Sequence, residues 1–166
     1  ALYKTLGKYA HAEPLYERAV AIREKALSAE QHEPEAELVQ LAELIRQFAE
    51  LYEEQENYAR AGPLYERALE VLKRALGPEH PDVAASFFNL ATLYQSWGDH
   101  ARAEPLYERA LAIYENVLGP EDARVIKTLD GLAELLLKMG RDRDAEQVRT
   151  RFRSVRAGKP ADSSQH

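Results

Sequence analysis

AEPLYERAVAI (residues 12–22), AGPLYERALEV (61–71) and AEPLYERALAI (103–113) are one phrase written three times in 166 residues. Pro63 and Pro105 lie 42 positions apart, and a further 42 lands on Gln147, inside the degenerate copy DAEQVRTRF (144–152). Pro14 and Pro63 lie 49 apart, so the first interval carries seven extra residues. A second phrase precedes the first at a constant offset: Leu90-Ala91, Leu93-Tyr94 and Gly98 recur as Phe48-Ala49 with Leu51-Tyr52, and as Leu132-Ala133 with Leu135 and Gly140. Within each copy the apolar positions fall at spacings of three and four, the period of a helix buried on one side. Each unit therefore reads as two helices joined by a tight polar turn. Self-similarity at this period is the mark of stacked helical hairpins. The chain is all-α, and such a stack makes a binding surface rather than a reaction centre.

Taken in order, residues 1–6 read as the last turns of a helix whose partners lie upstream, so 1–27 is a partial first repeat. Complete repeats follow at 35–76, 82–118 and 123–156, and the array spans 1–156. Most of the seven-residue insertion falls before Leu51 and predicts a lengthened helix protruding near Glu37 to Leu41. Gly77 and Pro78 are stop signals, and Asp82 is the expected N-cap of the next helix. In the last helix Arg149 and Arg153 replace Tyr107 and Leu111 of the preceding copy. A helix with one apolar stripe and a charged back is what a capping repeat needs. Residues 157–166 lack apolar spacing and read as a disordered tail. The exposed Leu15, Ala19 and Ile22 face of the first phrase predicts self-association through the N-terminal end.

Net charge is −6, which argues against phosphate contacts and hence against nucleic acid as the partner. The charge is uneven: residues 141–166 hold seven Lys/Arg against four Asp/Glu, and the remainder 15 against 24. There is no cysteine, which excludes a thiol nucleophile and cysteine-held metals and suits a cytoplasmic setting. No apolar run reaches the roughly 20 residues that span a bilayer, so no membrane partner is expected. No GxGxxG, GxxxxGK[ST] or HExxH occurs, and the five histidines are scattered. No cofactor, metal or catalytic residue is expected. The recurring Glu-Arg neighbours of YER are solvated pairs worth roughly 0–1 kcal/mol each.

The small Ala91, aromatic Tyr94, Gly98, then Ala103, Tyr107 and Ala110 form a pattern that resembles tetratricopeptide repeats. The 42-residue period and the connector LGPEHPDV (76–83) are similar to the repeats of kinesin light chain and its prokaryotic relatives. The resemblance implies a right-handed superhelical solenoid of antiparallel helix pairs. It also implies that an extended peptide or a helix of a protein partner lies along the concave face lined by first helices. On that face the resemblance puts Arg46, Gln47, Glu50 and Glu54; then Phe88, Asn89, Thr92 and Gln95; then Lys127, Asp130 and Glu134. Asn89 matches the family's backbone-gripping amide, which donates and accepts at once. The sequence departs from the family at Phe88, where a second Asn is common. Some relatives clamp a terminal carboxylate with Lys, Asn and Arg; Arg46, Asn89 and Lys127 are comparable, but Glu50 and Gly131 are not. The reading is a non-enzymatic protein–protein interaction module. The alternative is a structural or sensor segment of a larger signalling ATPase, packing on its own chain.

Overall fold

In a computed structural model, residues 9–29 and 34–156 are described. The expectations for residues 1–6 and 157–166 lie outside them. Among the described residues seven helices follow one another: α1 (Tyr9–Ala29), α2 (Glu35–Glu53), α3 (Tyr58–Leu76), α4 (Pro81–Trp97), α5 (His100–Leu118), α6 (Ala123–Lys138) and α7 (Asp142–Arg156). They group into two compact units, residues 1–78 and 79–166.

In the first unit α2 packs on both α1 and α3. Val20 and Leu27 of α1, Leu38, Leu41 and Ile45 of α2, and Ala68 of α3 form its core. Phe48 stacks on Tyr16, with ring centroids 5.5 Å apart. The insertion behaves differently from expectation. Measured back from Leu51, α2 starts 16 residues earlier, whereas α4 starts 12 before Leu93. The extra turn, about 6 Å long, does not protrude free. Leu38 and Leu41 are 3% and 2% exposed, because they share a buried cluster with Val20 and Leu27 of α1.

In the second unit α4 packs on α5, α5 on α6, and α6 on α7. Ala84, Ala110, Leu111, Ile113, Tyr114, Val125 and Leu129 are its buried core, with Val148 and Phe152 of α7 against it. Each fully buried leucine or isoleucine contributes roughly 1.5–3 kcal/mol. Surface ion pairs contribute less, yet they recur in register. Glu24 pairs with Arg67 between α1 and α3, and Glu115 with Arg151 between α5 and α7.

The helix ends follow local chemistry. Gly98 and Gly140 close their helices at φ 84° and 72°, and the equivalent Glu56 takes φ 56° without being glycine. Asp99 and Asp122 cap α5 and α6 by accepting the backbone N–H of Arg102 and Arg124. Asp82 is not the cap of α4. Pro81 occupies the first helical position, where its missing N–H costs nothing, so the cap moves back to His80, whose Nδ1 accepts from the Asp82 N–H at 3.2 Å. Pro14, Pro63 and Pro105 sit inside helices on exposed positions, near enough to the start that one lost hydrogen bond is tolerated.

Candidate functional site

The last turn of a first helix and a tyrosine of the following helix are tied together twice. Tyr65 Oη donates to Glu53 Oε2 at 2.6 Å, and Tyr107 Oη donates to Gln95 Oε1 at 2.7 Å. Both tyrosines are buried, and burial pushes both phenols up from the ordinary tyrosine value, Tyr65 the further. Both are therefore neutral donors at neutral pH.

In the first unit the face of α2 is closed on itself. Arg46 Nε lies 2.8 Å from Glu43 Oε2 and Nη2 lies 2.6 Å from Oε1, while Nη1 reaches Glu50. Gln47 Nε2 also donates to Glu43, at 2.8 Å. The hydrogen bonds from Arg46 hold the Glu43 carboxyl below its usual range, and the same bonds raise the guanidinium. A cation bound on two sides is poorly placed to clamp an incoming carboxylate. Glu54 stands exposed at the C-cap of α2.

In the second unit α4 and α6 flank an open cleft of about 400 Å³. Its floor is Tyr107 of α5 and Gly131 of α6; one wall is Phe88, Thr92, Gln95 and Ser96, the other Lys127, Asp130, Glu134 and Lys138. Residue 131 has no side chain, which lets α6 lie close against the Tyr107 ring. A Cβ there would meet Tyr107 Cε1 at 3.0 Å. Phe88 meets Tyr107 edge-on at 5.6 Å, and Lys127 Nζ lies 4.8 Å from the Phe88 ring centroid. Thr92 Oγ1 is 3.0 Å from the Phe88 carbonyl oxygen and 3.2 Å from Tyr107 Oη.

The cleft thus brings together Phe88, Thr92, Gln95, Lys127, Asp130 and Glu134 of the residues expected from sequence. Asn89, half-buried, does not line it. Gln95 is only 9% exposed and carries the Tyr107 hydroxyl, so half of its amide supports the wall instead of facing outward. Arg46, Gln47, Glu50 and Glu54 belong to α2, in the first unit. The sequence marks Tyr107 only as a repeat-defining aromatic. The signal that finds it is the constant separation of 12 residues between Glu53 and Tyr65 and between Gln95 and Tyr107.

Among the described residues no group of three His, Asp or Glu side chains is arranged to hold a metal ion. No described helix is long and apolar enough to cross a membrane.

A fold of antiparallel helix pairs at a 42-residue period defines a helical-repeat protein. The chain belongs to the tetratricopeptide-repeat family: one family model of that description matches residues 40–116 and 98–148, and a second matches 1–33. Among solved structures it is similar to BtubC (BKLC) from P. vanneervenii, with 29% identity and a TM-score of 0.76, over 99% of this chain and 65% of that one. It shares its fold with the apo form of RapI, at 19% identity and a TM-score of 0.74, over 96% of this chain and 41% of that one. The repeats of a putative kinesin light chain from Podosopora anserina share the fold too, at 23% identity and a TM-score of 0.60, over 94% and 90% of the two chains. This chain therefore spans less than two thirds of BtubC and of RapI. No curated protein matches it.

Proposed function

We propose that this chain is a non-catalytic interaction module that holds an extended segment of a protein partner against the exposed face of its first helices. The observation that carries this reading is the cleft on α4 and α6. It is open, it has an aromatic floor, and it is rimmed by hydrogen-bonding and charged groups. Pockets of that make-up are where ligands settle, with apolar surface for affinity and a few polar groups for orientation. The expected segment carries an apolar side chain near Phe88. A segment that lies on α2 is neutral or basic, because Glu43, Glu50, Glu53 and Glu54 outnumber Arg46, and like charges opposed across an interface are costly.

Selection of random twelve-residue peptides displayed on phage against the purified protein tests the reading, with Ser96→Trp as the counter-target. Ser96 is exposed at the cleft wall, so tryptophan there obstructs the cleft without entering the core. Selected peptides are expected to bind Ser96→Trp at least tenfold more weakly while its melting temperature is unchanged. Peptides that bind both proteins equally, or a selection that yields no binders, contradict the reading.

A further inference from the structure

The chemistry of the cleft walls is more specific than peptide binding requires. Gln95 is 9% exposed and its Oε1 is taken by Tyr107. Its Nε2 has no protein partner, and no fully buried polar side-chain atom among the described residues lacks one, so this nitrogen opens onto the cleft it lines. A nearly buried donor without an acceptor carries a desolvation cost that a carbonyl oxygen would relieve.

On the opposite wall Asp130 and Glu134 are exposed and form no ion pair with a described residue. They stand four residues apart on one helix, with Cβ atoms about 6 Å from each other. Lys127 is engaged over the Phe88 ring, and Lys138 bounds the acidic stretch one turn further along α6. The acidic part of the wall is therefore one side chain long. A guanidinium carries five N–H donors in a planar fork and spans two carboxylates at this spacing, whereas an ammonium serves as a single point.

We infer that the cleft selects an arginine within the bound segment. Its guanidinium lies between Asp130 and Glu134, and its own backbone carbonyl accepts from Gln95 Nε2. An acidic residue at the same point would face two carboxylates. This inference rests on the peptide-binding reading above and narrows it to one side chain.

The test uses N-acetyl-arginine methylamide, which carries one guanidinium and two backbone carbonyls. The glutamine and glutamate analogues serve as comparisons. Each is titrated to about 50 mM into ¹⁵N-labelled protein. The arginine probe is expected to shift the Gln95 side-chain amide and the Gly131 and Thr92 backbone amides. Its affinity should fall about tenfold in Asp130→Asn/Glu134→Gln, whose changes keep shape and remove charge. A glutamate probe that moves the same resonances as strongly overturns the arginine selection and leaves peptide binding standing. An arginine response that survives the double substitution, or no response to any probe, also overturns it. Peptide binding itself is judged separately by whether display yields cleft-dependent binders.

Discussion

Gly131 on α6 lies against the ring of Tyr107 on α5 so closely that a Cβ at residue 131 would stand 3.0 Å from Cε1 and 3.2 Å from Cζ. The ring is held in place: it is 2% exposed, packed on Phe88 and tied by its hydroxyl to Gln95. Alanine is favoured over glycine inside a helix by about 1 kcal/mol, but overpacking a rigid site costs about 1–3 kcal/mol. Gly131→Ala is therefore expected to lower stability by about 1 kcal/mol, read as a lower melting temperature. A raised melting temperature would show that Tyr107 gives way.

Glu56 holds the left-handed conformation that its counterparts Gly98 and Gly140 adopt freely. That conformation costs a side-chain-bearing residue about 1–2 kcal/mol, and glycine returns part of the gain as unfolded-state entropy. Glu56→Gly is expected to stabilise the protein by about 0.5–1 kcal/mol in denaturant unfolding. Loss of stability would mean that the Glu56 side chain contributes something its exposed position does not suggest.

The hydrogen bond from Arg124 holds the Asp122 carboxyl below the ordinary carboxylate range, and the backbone N–H of Arg124 adds to it. A depressed folded-state pKa contributes stability that is present above the unfolded value, near pH 4, and is lost as pH falls through the lower folded value. Asp122→Ala is expected to melt earlier than the parent protein at pH 7. The gap should narrow as pH drops below about 4. A gap that stays constant down to pH 2 would remove the carboxylate from the cap's account.

Leu15 and Ile22 of α1 are 55% and 59% exposed. The equivalent Leu64 and Leu106 are half-buried, and Ile113 is fully buried. Burying two such side chains against a second copy favours association by roughly 3–6 kcal/mol before the cost of bringing the copies together. Sedimentation is expected to show a concentration-dependent dimer that Leu15→Ser/Ile22→Ser abolishes. A monomer at every concentration excludes self-association through this face.

The hairpins were legible because period and apolar spacing are properties of the sequence alone, repeated three times with Pro14, Pro63 and Pro105 as markers. The cap at His80 was not, because Asp82 is the commoner capping residue and only the Pro81 ring moves the helix start back. The face of α2 looked like a row of ligand contacts. That Arg46 is held by both Glu43 and Glu50 depends on rotamers, which spacing does not encode. From sequence Gly131 was only a departure from the family's carboxylate clamp; its reason is a ring from another helix, visible only once the chain is folded.

The most direct measurement is the ¹⁵N–¹H spectrum of the labelled protein with a display-selected peptide at saturation. Binding in the cleft is expected to move the amides of Phe88, Thr92, Gln95, Lys127, Gly131 and Glu134, and to leave α5's exposed Glu108 and Ala112 still. Shifts centred on Glu108 and Ala112, with the cleft residues unmoved, would contradict it.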